Sequence, residues 1–442
     1  MMKEQLQNNE WSLFSSIQTV AYYSPLGDYI MLNKVNETTL SEILNTDKLS
    51  FDNIKNISII NHEWQHWVDY TSTLWGMKKM VNMYNAYNAW LNGKESEFLH
   101  IKILFNEFKQ DKYYYYYTQV KNKIYGNGKD VWKMGMTIGH RFNEDGQLNM
   151  KKPLLLVNFA SSADIDIARV PVSIASMLEC NAMFQELATK SLFIESLEEN
   201  DKIIEILELD RYIYKWLYDP NMILYTVVTH LTANTLRINR PLMAIHIASI
   251  ISNLVLNLPE KAIRQMKLPV TALLHGQAGV NMFSNRDKGY LFFLILENYA
   301  IEHPDKLDFV VDDLLKSSNL PNPMQLEEII LDEINSYTKT SAIDGPLNDL
   351  MMEKINTGKI LLNIKGSVLN RQSSITTRDL LANKIDFPNF LCSDTYIDTE
   401  HLSINKIINN AKINGKIDYN EWYKIYEFCE PKFREFVEVC GV

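Results

Sequence analysis

The run NISIINHEWQHWVDYTSTLWG, residues 56–76, constrains this chain more than any other stretch. Ile57, Ile60, Trp64, Trp67 and Val68 recur at helical spacing on one side, and Leu74 and Trp75 continue that arc. Three tryptophans and several branched aliphatics on one side of a helix require a core wide enough to cover them. The other side is different in kind. With His62 at zero and roughly 100° per residue, His66 falls near 40°, Tyr70 near 80° and Glu63 near 100°. The fold must therefore bury one side of this helix and leave two imidazoles and a carboxylate along its flank.

Residues 62–66 read His-Glu-Trp-Gln-His, the form H-E-x-x-H. Two histidines four residues apart on a helix stack on one face and can grip one metal ion. The glutamate after the first histidine stands beside them, where it can take a proton from a water. Two histidines satisfied on an ordinary helix are the competing reading. The adjacent Glu63 and the tryptophan-rich back argue against it.

On these residues the chain resembles the zincin metallopeptidases. The resemblance implies zinc as cofactor, His62 and His66 as ligands, and Glu63 as general base and proton shuttle. The extended metzincin pattern is absent, because Asp69 stands where its glycine would be and Ser72 where its third histidine would be. A third ligand has to come from elsewhere, since a catalytic zinc site has three protein ligands and one open position.

The stretch from Val170 to Lys190 offers one. Ser173 is an N-cap residue, and Ala175, Glu179, Ala182, Met183 and Glu186 follow on one helical stripe. A carboxylate among alanines suits close helix packing, and a buried glutamate requires a metal or a cation as compensation. A solvated glutamate at a helix interface is the alternative. The layout resembles the gluzincin arrangement, which implies Glu179 as third ligand. Glu186 lies seven residues on, about 10 Å along the axis, so one ion cannot reach both. Glu186 is left to orient a ligand, bind substrate or face solvent, and Asp69 is a candidate for the orienting role because Met183 occupies the position where the thermolysin-like pattern has a carboxylate. His140, Tyr70 and His230 are candidate oxyanion stabilisers, although lone histidines are more often structural.

The remaining chain supplies the frame. VAYYSPLGDYIMLNKV reads as a hairpin, and its second half, with Tyr29, Met31 and Asn33, is a candidate edge strand for holding an extended peptide. The active-site helix should begin near residues 50–53 and continue, bent at Gly76, to Trp90. Strands are predicted at 130–142 and 153–159, and from residue 200 the pattern is almost continuously helical. Residues 410–421 resemble an EF-hand loop with Lys412 in place of a ligand, which favours a metal-free helix-turn-helix. The fold class expected is α+β, predominantly helical: a zincin-like catalytic domain with a small mixed sheet over residues 1–197, then a helical region over 198–442. Weak linker signals at 195–202 and 366–378 suggest a catalytic half followed by a helical half, and the helical region has a candidate split near 340–375.

Composition sets the outer limits. The net charge of −10, from 44 basic and 54 acidic residues, disfavours nucleic acid as a partner. No run reaches the ~20 apolar residues of a membrane span, and no basic-then-apolar leader opens the sequence. Four cysteines without a paired spacing fit reduced thiols, so a cytoplasmic protein with no membrane partner is expected. The resemblance implies hydrolysis of a protein or peptide substrate, and the large helical region suggests a restricted target. Two other readings stay open: a helical interaction protein with a structural or vestigial zinc site, and a latent toxin or defence effector protease released by a regulator.

Overall fold

In a computed structural model, the residues described are 20–45, 49–143, 146–304, 308–340, 343–364, 385, 388–397, 403–414, 417 and 419–441. The chain is α+β and predominantly helical, as its periodicities predict. Its elements begin with β1 (Ala21–Ser24), β2 (Tyr29–Leu32), α1 (Glu37–Leu44), α2 (Ile54–Ser72), α3 (Leu74–Asn92) and α4 (Leu99–Asp111). Next come β3 (Gln119–Val120), β4 (Lys133–Phe142), β5 (Leu148–Ala160) and β6 (Asp166–Pro171). The long helices α5 (Ile174–Glu195), α6 (Glu199–Leu217), α7 (Ile223–Leu236), α8 (Pro241–Leu256) and α9 (Lys288–Glu302) follow. After further helices, the chain ends with α10 (Asn348–Ile364), β7 (Asn389–Cys392), α11 (Ile404–Asn414) and α12 (Tyr419–Val439).

Two compact units form. One takes its described residues from the ranges 1–111, 331–365 and 373–442, and the described residues of the other all lie in 112–330. A division at 197/198 is therefore not the one the chain adopts. The first unit is closed by its own C-terminal helix: Phe433 of α12 meets Tyr87, Trp90 and Phe105, and Trp422 packs on Tyr84 and Tyr87. Burying these rings ties residues more than 300 positions apart into one core, which local periodicity cannot reveal.

In this unit β1 and β2 make the expected hairpin, with Ala21 opposite Leu32 and Ser24 opposite Tyr29. The turn places Asp28 at φ +47°, and the Asp28 carboxylate accepts from Tyr23 and from Lys354 at 2.6 Å. However, β2 is not an edge. It lies between β1 and a parallel β7, with Tyr29 opposite Asn389 and Leu32 opposite Cys392. The assignment of Tyr29, Met31 and Asn33 as a peptide-binding edge therefore fails, because β7 already takes the hydrogen bonds such a peptide would need. Asn33 lies beyond the strand, its amide bonded to the Val20 carbonyl.

The break after the motif helix also differs from expectation. It falls at Thr73 and not at Gly76: Thr73 is extended, and its hydroxyl accepts from the Gly76 amide to cap α3. A side-chain oxygen that can cap an N-terminus competes with helix continuation. Beyond that break α3 turns back to pack on α2, and α10 packs on α2 as well. A Cβ at Gly358 would stand 2.2 Å from the Thr71 carbonyl, so α10 approaches α2 more closely there than any side chain permits. Of the EF-hand-like stretch, residues 410–414 continue α11 and residues 419–421 open α12. Residues 366–378, read as a linker, and Gly415, Lys416 and Asp418 of the loop pattern lie outside the described residues.

The second unit is built on a four-stranded antiparallel sheet in the order β3-β6-β5-β4. Leu154–Val157 and Phe159 of β5 are buried; β5 packs on the helix Gly276–Ser284 and on α9, α7 packs on β6, and α5 packs on α7 and α8. Gly289 lets α9 meet the strand end, where a Cβ would lie 1.9 Å from the Val172 carbonyl. Among the described residues no single helix is long and apolar enough to cross a membrane. The bent pair Pro220–Leu236 and Pro241–Leu256 reaches that length only together, at 106°.

A candidate metal centre

The motif helix α2 changes character along its length. Its first turns bury Ser58 and Ile60 while Ile57 stays half-buried, as an amphipathic helix does. From His66 to Ser72 every residue is buried, so the helix ends inside the core. His62 is half-buried, Glu63 is 8% exposed and His66 is 1% exposed. The two imidazoles lie edge to face with centroids 5.1 Å apart, the spacing that one helical turn produces. Trp64 and Trp67 pack against each other on the buried back.

Helix α5 is started by Ser173 in a reciprocal cap with Ser176: each side chain accepts from the other residue's amide. Ala175, Glu179, Ala182 and Met183 are all buried, and Glu179 has no exposed surface. A carboxylate this deep costs several kcal/mol as an ion unless a positive charge or donors offset it.

His62, His66 and Glu179 form a group that could hold a metal ion: one ligand atom from each lies within 4.8 Å of the other two. Zinc held by nitrogen and oxygen ligands in a tetrahedral site has its donors about 3.3 Å apart. Side-chain adjustments of an ångström or so would bring these donors to that spacing, so the residues present fit the ion. It is the only such group among the described residues.

The other sequence-derived candidates fall elsewhere. Glu186 accepts from Lys190 at 2.6 Å and from the Tyr212 hydroxyl at 2.8 Å, and Lys190 also lies over the Tyr212 ring. It is occupied as a structural carboxylate. The Lys190 partner was legible at i+4 on the same helix, whereas Tyr212 comes from the next one. Burial and then the Glu186 charge push the Tyr212 phenol far above its ordinary value. Asp69 is fully buried one turn after His66 and accepts from Gln65 Nε2 at 2.7 Å.

Tyr70 packs on Tyr23 and Trp75 in the core of its unit, where burial raises its phenol pKa well above normal. His230 sits in an aromatic cage of Trp132, Phe159 and Tyr218, with Nε2 2.8 Å from the Leu217 carbonyl. Burial lowers its pKa to about 4, so it is a neutral core histidine near neutrality. His140 is half-buried on β4 at the bulge before Arg141. Its neighbour Arg141 is the engaged cation: it lies 3.6 Å over the Tyr113 ring and 3.5 Å from Asp287, the N-cap of α9. Of the Tyr113–Tyr117 run, Tyr114 is buried while Tyr115 and Tyr116 are exposed.

Fold and site thus define a predominantly helical α+β chain with a two-histidine, one-glutamate group able to hold a metal. No protein-family model, curated protein or solved structure matches the chain.

Proposed function

We propose that the chain is a zinc-dependent metallopeptidase acting on a restricted protein or peptide target. What carries this reading is the convergence of His62, His66 and Glu179, from two separate helices, with Glu63 directly after the first ligand. Two imidazoles and one carboxylate form a donor set found in catalytic zinc sites, and a purely structural site has no use for an adjacent base. Zinc bound there would polarise a scissile carbonyl and make a water more acidic.

The chain's own residues would do the rest. His62, His66 and Glu179 hold the ion. Glu63 takes the proton of the attacking water on a carboxylate oxygen and delivers it to the departing amine nitrogen. Asp69, one turn further along α2, is fixed by Gln65. His62, the most exposed of the three ligands, is where solvent meets the group.

The deep burial of His66 and Glu179 also suits a closed, structural zinc site, which is the competing reading. Two measurements separate them. Plasma emission on protein purified without added metal should give about one zinc per chain. Comparison of a proteome exposed to the parent or to Glu63→Gln should then show cleavages unique to the parent. Zinc without any Glu63-dependent cleavage would establish the structural reading, and no zinc would remove both.

A further inference from the structure

We propose that the free face of α6 is a docking surface for a basic amphipathic helix of a partner protein. The inference does not depend on the metal centre being catalytic. Helix α6 runs Glu199–Leu217, but its buried residues, Ile213, Trp216 and Leu217, all lie in its last five positions. The preceding turns stand away from the core. There Ile203, Ile204, Ile206 and Leu207 are 52%, 57%, 43% and 53% exposed, and Leu192 at the end of α5 is 59% exposed. At helical spacing the four α6 side chains occupy one arc of about 160°. Branched aliphatics are poor choices for a merely solvated helix face. The four α6 side chains together leave an apolar patch on the order of a few hundred Å², the scale at which such patches mark interaction sites.

The charges around the patch decide what can cover it. Between residues 195 and 210 the acids are Glu195, Glu198, Glu199, Asp201, Glu205, Glu208 and Asp210, and the sole base is Lys202. Lys202 is held by Glu195, and Arg211 by Glu208. Glu198, Glu199, Asp201, Glu205 and Asp210 have no ion pair among the described residues. The acids near the start of α6 are welcome to the helix dipole, but those further along gain nothing from it. A second copy of the chain would set this acidic rim against itself. Anionic lipid and nucleic acid would be repelled as well. An amphipathic helix with aliphatic residues on one face and lysine or arginine beside them satisfies both the patch and its rim.

The test uses the full chain and a fluorescent peptide of about 18 residues, built from Leu and Lys as an amphipathic helix. Controls are a peptide of the same composition with the amphipathic order scrambled and a Leu/Glu counterpart. Anisotropy should show saturable one-to-one binding of the Leu/Lys helix that weakens as salt rises, and no binding of the Leu/Glu peptide. Ile203→Ser with Leu207→Ser should weaken it about tenfold or more, as loss of central apolar anchors does. Both side chains are exposed, so circular dichroism and zinc content should match the parent. Equal binding of the scrambled peptide, or an unaltered affinity of the double variant, would overturn the proposal. So would a dimer, seen by light scattering, that the double variant abolishes, or co-sedimentation with phosphatidylglycerol vesicles.

Discussion

Replacing His230 by Phe tests the claim that this histidine is a neutral core residue and not part of a catalytic site. Its ring is stacked on Trp132, meets Phe159 and Tyr218 edge-on, and bonds the Leu217 carbonyl. Burial sets its pKa at about 4 against an ordinary 6.5. The unfolded chain therefore binds this proton more readily than the folded one, and stability rises with pH across the interval. The contribution is complete above the ordinary value and is lost as pH falls from about 6.5 toward 4. Between about pH 7 and pH 4.5 the parent should lose roughly 2.5 kcal/mol that His230→Phe does not lose. At neutral pH the variant should be about 1 kcal/mol less stable, because the Leu217 carbonyl forfeits its donor. Urea unfolding at the two pH values gives the difference, and histidine-selective NMR gives the titration directly. A His230 midpoint near 6.5, or equal acid sensitivity of parent and variant, would refute the burial argument.

Glu179→Ala should lower zinc affinity by an order of magnitude or more, whereas Glu186→Ala should leave occupancy near one; equilibrium dialysis against a zinc indicator decides, and the reverse pattern would move the third ligand. Glu63→Gln should keep the metal while cleavage falls by ~10² or more in a labelled-proteome assay. Gly358→Ala should destabilise the first unit by about 1–3 kcal/mol, read by chemical unfolding, because its Cβ would meet the Thr71 carbonyl at 2.2 Å. Lys79→Met should cost about 3–5 kcal/mol in the same assay, since Glu107 and Asp111, 3.3 and 2.8 Å from Lys79 Nζ, would lose their shared cation.

What the sequence determined by itself is local. The imidazole pair on α2, the cap at Ser173, the hairpin at 21–32 and the alanine-flanked Glu179 are all set by residues within a few positions of one another, through helical spacing, capping oxygens and turn chemistry. A buried carboxylate on an apolar stripe calls for a metal or a cation, and it was the gluzincin resemblance that pointed Glu179 toward His62 and His66. Tertiary structure decided what depends on distant partners. Strand β7 took the edge that β2 would have offered, from more than 350 residues away. Tyr212 claimed Glu186, Trp132 and its neighbours enclosed His230, and the last helix joined the first unit through Phe433 and Trp422. A strand's pattern records that it pairs but not with whom. An aromatic side chain records that it is buried but not among which rings, because burial is non-directional until packing fixes it.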